Sequence, residues 1–209
     1  MTDLLSTLFG SAAKVKLLRF FLFNPTKTFS FDELCEKARL VRRTARTEIN
    51  TLKKLGIISE EMIPTGEPGS KKETKVLHYT LDNKFPEFQA LQTFLFETTP
   101  LDGKNLLKHL KKAGALDFVV VSGVFLRDFE HRLDILIASK KPSLSKIESG
   151  IKAFEAEVGI GVRFAVITTD DLIFRFDMND RLIRDIFDYK HQVLVDKGGI
   201  SGNLVNDFS

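Results

Sequence analysis

The chain has 209 residues, of which 43% are hydrophobic and 28% charged, a composition typical of a globular protein that can bury a substantial core. Its single cysteine, Cys35, excludes an internal disulfide framework and a cysteine-based zinc site. No apolar run approaches the roughly 18 residues needed to span a bilayer, and the first ten residues lack the features of a secretory signal. We therefore expect a cytoplasmic protein with no membrane partner.

The formal net charge of +3 is distributed unevenly along the chain. Residues 1–84 contain 15 Lys and Arg against 10 Asp and Glu, whereas residues 85–209 contain 16 against 18. A basic first part beside a slightly acidic second part indicates a polyanionic partner for the first part only.

Two short helices are predicted near the start of the chain. Ser11 can cap a helix that ends before Asn24, because apolar residues from Val15 to Leu22 recur about every 3.6 residues. Ser30 and Glu33 have the spacing of a capping box, which predicts a second helix to about Ala38 with Phe31, Leu34 and Cys35 facing inward.

A third helix is predicted from about Val41 to Leu55, ended by Gly56 in a left-handed cap. At about 100° per residue, its apolar residues gather on one side, and the other side is basic and polar. That second side carries Arg42, Arg43, Arg46, Thr47, Asn50, Lys53 and Lys54.

The segment after Gly56 is predicted to form a β-hairpin. A strand begins at Ile57, a turn-rich stretch runs from Pro64 to Ser70, and an alternating strand returns from Lys75 to Leu81. Three helices followed by a hairpin with a lysine-containing tip are typical of a winged helix-turn-helix domain, which we assign to residues 1–84.

In such a domain the third helix enters the major groove of double-stranded DNA. Arginine matches guanine, asparagine can pair with adenine, and lysines of the hairpin can contact the neighbouring phosphates without sequence preference. The predicted DNA contacts are Arg42, Arg43, Thr44, Arg46, Thr47, Asn50, Lys53, Lys71, Lys72 and Lys75.

Two motifs in this region resemble a known family. Leu8–Leu18 resembles the LFGS-x-x-R/K opening of prokaryotic winged-helix transcriptional regulators, and Ile49–Ile58 looks like the end of their recognition helix. The resemblance covers residues 8 to about 82. It implies a DNA-binding regulator, for which we expect a homodimer, since two half-sites square the specificity of one.

The remaining chain is predicted to be an α/β domain reached through two connecting helices in residues 85–114. We expect an amphipathic helix over residues 86–97 to supply the dimer contact through Phe88, Leu91, Phe94 and Leu95. Strands separated by helices follow over residues 115–197. Residues 198–209 are predicted to be a disordered tail. The expected fold class is thus mixed, α+β and α/β, in two domains.

The segments Val121–Arg127 and Arg132–Ile137 resemble the core of minimal nucleotidyltransferase domains. That family places Gly-Ser after a strand and Asp-x-Asp on the next strand, where two carboxylates hold Mg²⁺. Here Val124 replaces the serine and Arg132 replaces the first carboxylate, which leaves Asp134 alone. We therefore expect no catalytic residues, no metal and no cofactor.

Arg132 and Asp134 have two interpretations. They can form a structural ion pair at the strand edge, or Gly123, Arg127 and Arg132 beside Asp134 can retain a vestigial pocket for a small anionic or nucleotide effector. For the whole chain the sequence leaves two alternatives to a regulator. These are an active nucleotidyltransferase of a toxin–antitoxin type and a winged-helix adaptor that binds proteins.

Overall fold

The computed structural model describes residues 4–65, 74–82, 84–128, 130–200 and 202. It shows a mixed α/β protein with two sheets. The chain divides into two compact units. The first extends to Thr99 and includes Glu155–Ile160, and the second consists of Pro100–Phe154 and the residues from Gly161 onward.

The described part of the first unit contains five whole helices, two of which begin at a side-chain cap. They are α1 (Leu4–Leu8), α2 (Ala12–Leu22), α3 (Phe31–Lys37), α4 (Arg42–Lys54) and α5 (Phe88–Thr98). The Ser11 side chain accepts a hydrogen bond from the Lys14 amide at 3.2 Å, and the Ser30–Glu33 capping box is formed. These two caps confirm the predicted starts of α2 and α3, whereas α1 was not predicted.

The turns on either side of α4 satisfy the last carbonyl groups of two helices. At the end of α3, Arg39 adopts a left-handed φ of 49° and the Leu40 amide donates to the Cys35 carbonyl at 2.9 Å. At the end of α4, Gly56 has a φ of +71°, which confirms the predicted left-handed cap. These turns set the direction of α4 relative to α3 before it and β2 after it.

The sheet of the first unit consists of β1 (Phe29–Ser30), β2 (Ile58–Thr65) and β3 (Thr74–Leu81) in the order β1-β3-β2. All its pairs are antiparallel, with Ile58 opposite Leu81 at the base of the hairpin. Pro64 and Thr65, where the predicted turn begins, belong to β2, and the rest of the stretch that joins β2 to β3 lies outside the described residues. β1 was not predicted, because two residues are too few to show a period.

Helix α5 packs on the core of the first unit. Leu95 is fully buried there, Phe88 and Leu91 are half-buried against the same core, and Gln92 donates to the Leu22 carbonyl at 2.7 Å. Three of the four side chains predicted to form a dimer contact therefore pack wholly or partly on this core, and the dimer contact itself stays a prediction. Phe94 remains 41% exposed.

The second unit contains helices and strands in alternation. Its helices are α6 (Gly103–Leu110), α7 (Leu144–Val158, within this unit to Phe154), α8 (Thr169–Asp177) and α9 (Arg181–Phe187). Its strands are β4 (Phe118–Val121), β5 (Ile135–Ser139), β6 (Phe164–Thr168) and β7 (Gln192–Asp196). Short 3₁₀ turns follow α6 and β4.

The second sheet has the order β6-β5-β4-β7, in which β5 and β6 are parallel and β4 is antiparallel to both of its neighbours. The parallel pair requires a crossover connection, which α7 supplies. β4 and β5 are buried along their whole length and position the loops at their ends.

The core of this unit extends beyond the predicted domain end. Ile200, which the sequence assigned to a disordered tail, is 8% exposed and packs among the core side chains. Its amide donates to Asp196 at 2.7 Å, so the prediction is wrong at this residue. Residues 201 and 203–209 lie outside the described part. None of the helices in the described ranges is long and apolar enough to cross a membrane.

Candidate functional site

Helix α4 has a buried side and an exposed side, as its sequence pattern predicted, but Val41 and Leu55, which the pattern placed on the buried side, are 73% and 59% exposed. Ala45, Ile49 and Leu52 are each at most 1% exposed and join the helix to the core or to its neighbours. The exposed residues are Arg42, Arg43, Thr44, Arg46, Thr47, Asn50 and Lys54. Lys53 is half-buried. The structure thus brings most of the predicted contact residues onto one exposed side of a helix.

A phenylalanine of α3 supports two of the arginines. The guanidinium of Arg42 lies 5.0 Å from the centre of the Phe31 ring, and that of Arg46 lies 4.9 Å from it. Cation–π contacts of this kind are worth about 0.5–1 kcal/mol at exposed sites. The sequence placed Phe31 inward on its helix and missed this role, although its ring is also partly buried against the core.

Two carboxylates face basic residues of α4. Arg42 forms an ion pair with Asp32 of α3, and Lys53 forms one with Glu60 of β2. Each carboxylate lowers the local positive charge, so the basic side is partly neutralised. Arg43 has no ion pair within the described part of the chain, and neither has Arg46.

An open cavity of about 480 Å³ lies beside α4. Arg42, Arg46 and Asn50 line it on the helix side, and Tyr79 of β3 lines it on the sheet side. Burial raises the pKa of the Tyr79 hydroxyl, and the nearby Glu60 carboxylate acts in the same direction. The tyrosine is therefore a neutral hydrogen-bonding group near the arginines at ordinary pH.

The hairpin contributes one described basic residue. Lys75 of β3 is exposed and lies opposite Pro64 in the register. Lys71 and Lys72, which were also predicted to contact phosphates, lie outside the described residues.

In the second unit, the Asp134 carboxylate is fully buried and accepts four hydrogen bonds. The Val124 amide donates to Oδ1 at 3.1 Å, and the Arg163 amide donates to Oδ2 at 2.8 Å. The Arg163 guanidinium donates to both oxygens at 2.9 Å. A carboxylate with its oxygens engaged in this way is held as a structural anion and not as an open metal ligand.

The predicted Arg132–Asp134 ion pair is wrong, because the partner of Asp134 is Arg163. Arg163 precedes β6, the strand parallel to β5, so its amide and its guanidinium reach the carboxylate together. Arg132 is instead exposed and lines a separate cavity. Adjacent strands in a parallel pair bring distant residues together, and spacing along one strand gives no signal of this.

Gly123 lies against the same carboxylate. A Cβ atom at this position would lie 2.1 Å from Oδ1 of Asp134, so no side chain fits here. Gly123 and Asp134, two residues of the predicted vestigial pocket, are therefore in contact with each other and leave no space for a ligand between them. Arg127 is exposed and adopts a φ of 63° where the 3₁₀ turn ends.

Within the described ranges, no three His, Cys, Asp or Glu side chains are grouped as a metal site requires. No family model, no curated protein and no solved structure matches the chain. The resemblances to winged-helix regulators and to minimal nucleotidyltransferases thus stay predictions.

Proposed function

We propose that this chain is a DNA-binding transcriptional regulator whose first unit is a winged helix-turn-helix domain with α4 as the recognition helix. The observation that carries this proposal is the exposed side of α4, where Arg43, Arg46, Thr47 and Asn50 lie together. A helix fits the major groove, and these are residue types that bond to base edges and phosphates. In this proposal the β2–β3 hairpin is the wing.

Each side chain has a proposed role. Arg43 and Arg46 read guanine and Asn50 reads adenine. Thr44 and Thr47 contact phosphates or a thymine methyl group. The phosphate-binding residues are Arg42, Lys53 and Lys75, together with Lys71 and Lys72 of the hairpin connection. Arg42 and Lys53 exchange their carboxylate partners for phosphates on binding.

The first experiment measures binding of the full-length protein to the DNA upstream of its own gene by fluorescence anisotropy. We expect Arg43→Ala and Arg46→Ala each to weaken specific binding by about 1–3 kcal/mol, the usual value of a bidentate base contact. Lys84→Ala, an exposed lysine outside α4, is the matched control and should change binding little. Affinity for wild-type protein should fall steeply with added salt, because phosphate contacts release counterions.

Absence of any salt-dependent binding by the wild-type protein would contradict the proposal. It would favour the alternative in which the domain is an adaptor that binds proteins. The carboxylates of Asp32 and Glu60 are the observation in its favour, because they neutralise two of the basic residues on α4.

We infer that the second unit serves dimerisation or the sensing of a small anionic effector, and not nucleotidyl transfer. The support is the closed environment of Asp134, whose oxygens are engaged by Val124 and Arg163. The alternative is an active nucleotidyltransferase of a toxin–antitoxin type. Transfer of labelled nucleotide to an acceptor in the presence of Mg²⁺ would favour that alternative. A homodimer stays part of the proposal, and its surface is sought outside the buried face of α5.

A further inference from the structure

The second unit contains a cavity of about 600 Å³ that is separate from the closed environment of Asp134. One wall is formed by residues 128 and 130–132, which precede β5, and the other by α9 and the two residues after it. Sites for small molecules have volumes of about 300–1,000 Å³. The cavity is thus large enough to hold a ligand of modest size.

Two exposed guanidinium groups that line this cavity, those of Arg132 and Arg184, form no ion pair with the described residues. In contrast, Arg181 lies 4.0 Å from Asp185 on the same helix. The arginine fork matches a phosphate or carboxylate through two parallel hydrogen bonds. Arg132 and Arg184 are therefore both available to an anionic group in this cavity.

A buried histidine joins the two walls of the cavity. His131 is 7% exposed, and its Nε2 lies 3.0 Å from Oδ2 of Asp128. Its ring contacts the ring of Tyr189 edge-to-face, with 4.6 Å between the centres. A packed and hydrogen-bonded wall of this kind is preorganised, which reduces the entropy lost when a ligand binds.

The carboxylates of the cavity restrict which anion it can take. Four acidic residues line it against three arginines, and only Arg132 and Arg184 lack a carboxylate partner among the described residues, so the cavity can neutralise one phosphate group but not the several of a polyphosphate or a nucleic acid. Two of the four, Glu130 and Asp188, are exposed and have no ion pair among the described residues. Ionised carboxylates are acceptors only and need donors such as hydroxyl groups. The ligand should therefore combine a single anionic group with several hydroxyl groups.

We propose that this cavity binds a small phosphate monoester that carries free hydroxyl groups. Arg132 and Arg184 hold the phosphate, and Glu130 and Asp188 accept hydrogen bonds from the hydroxyl groups. This proposal gives a chemical class to the anionic effector of the regulator, but the binding itself does not depend on whether α4 binds DNA.

The test is isothermal titration of the full-length protein with ribose 5-phosphate, inorganic phosphate and ribose as probes. Ribose 5-phosphate should bind about tenfold more tightly than either of the other two, since it alone satisfies both the guanidinium and the carboxylate groups. Arg184→Gln and Arg132→Gln should each weaken its binding by about tenfold or more. Lys152→Gln, which removes an equivalent charge from the exposed side of α7, should leave binding unchanged.

A further variant separates the two parts of the ligand. Glu130→Gln should reduce the preference for ribose 5-phosphate over inorganic phosphate, because an amide accepts fewer hydrogen bonds than a carboxylate. Arg184→Lys, which keeps the charge but loses the fork, should bind between wild type and Arg184→Gln.

Three results would overturn the proposal. The first is no heat from ribose 5-phosphate at millimolar concentration, the second is equal affinity for inorganic phosphate, and the third is unchanged affinity in Arg184→Gln. Because the titration contains no DNA, these results leave the DNA-binding role of α4 intact. Binding of the ester by a wild-type protein that binds no DNA would contradict the DNA-binding role of α4 and support the phosphate-ester site.

Discussion

Asp134 is a buried carboxylate whose hydrogen-bond acceptors are matched to the donors of Val124 and Arg163. In Asp134→Asn, an amide NH₂ would face one of these donors and the ion pair with Arg163 would be lost. Unmet buried donors cost about 1–3 kcal/mol each, so we expect the free energy of unfolding to fall by at least about 2 kcal/mol. Urea denaturation at pH 7 measures this change.

The control for this substitution is Asp177→Asn, which changes an exposed carboxylate at the end of α8. Surface substitutions of this kind usually change stability by less than about 0.5 kcal/mol. A loss in Asp134→Asn no larger than in Asp177→Asn would mean that the Arg163 contacts contribute nothing to folding.

Asp117 gives the protein a pH-dependent contribution to stability. The Lys140 amide and the Thr169 hydroxyl donate to its carboxylate at 2.8 and 2.9 Å, and these bonds hold the pKa of Asp117 below its usual value. A carboxyl group whose pKa is lower in the folded state than in the unfolded state stabilises the fold at every pH above its unfolded-state pKa. This contribution is lost as the pH falls from the unfolded-state pKa through the folded-state pKa.

We therefore expect Asp117→Asn to be less stable than wild type at neutral pH, by an amount that is constant down to about pH 5 and shrinks below it. Urea denaturation at a series of pH values measures the difference. A difference that stayed constant down to the acid limit of folding would show that the pKa of Asp117 is not linked to stability.

At the scale of the elements, α3 and α4 are coupled through the ring of Phe31. Phe31→Leu keeps an apolar side chain but removes the π surface beneath Arg42 and Arg46, so Arg46 loses its support and Arg42 keeps only its ion pair with Asp32. If α4 reads DNA, we expect specific binding to weaken by about 0.5–1 kcal/mol, the value of an exposed cation–π contact. Anisotropy titration measures the loss.

Phe23→Leu is the matched control, because Phe23 packs edge-to-face on Phe96 in the same unit. Thermal unfolding of both variants identifies any general loss of packing. Equal DNA affinity of Phe31→Leu and Phe23→Leu would show that the ring does not position the arginines.

The sequence predicted α4 well because local rules determine it. Its period fixed the buried side at Ala45, Ile49 and Leu52, and Gly56 fixed its end. The contacts of Arg42 were not predictable in this way. Its partners Phe31 and Asp32 lie on another helix, and their distance from Arg42 depends on the turn at Arg39 and not on periodicity.

The dependence of contacts on residues of other elements also explains why the predicted Arg132–Asp134 ion pair in the second unit was wrong. β4 and β5 were predicted from their apolar runs, which are buried from end to end. The partner of Asp134 depends on which strand lies beside β5, and the order β6-β5-β4-β7 is a property of the whole unit. Among the described residues that the sequence grouped into a vestigial pocket, the structure brings only Gly123 and Asp134 into contact.

At the scale of the whole molecule, the chain returns to the first unit long after leaving it. Glu155–Ile160 belongs to that unit, where the buried guanidinium of Arg19 donates to the Glu157 carbonyl at 3.1 Å. Asn24 donates to the Gly159 carbonyl at 3.2 Å. Carbonyl groups at the end of a helix lack partners within it, so Arg19 of α2 and Asn24 after it supply the donors that they need.

Gly159 tests whether this returning segment stabilises the first unit. A Cβ atom here would lie 2.7 Å from the Cβ of Arg19 and 2.8 Å from its carbonyl carbon, so Gly159→Ala must displace the segment from α2. Gly10→Ala is the matched control, since Gly10 has a similar left-handed φ and nothing within 4 Å of the added atom. Overpacking costs about 1–3 kcal/mol, and we expect Gly159→Ala to lose that much more stability than Gly10→Ala. Hydrogen exchange should show faster opening of α2 amides in Gly159→Ala, and equal protection in the two variants would mean that α2 does not need Glu155–Ile160.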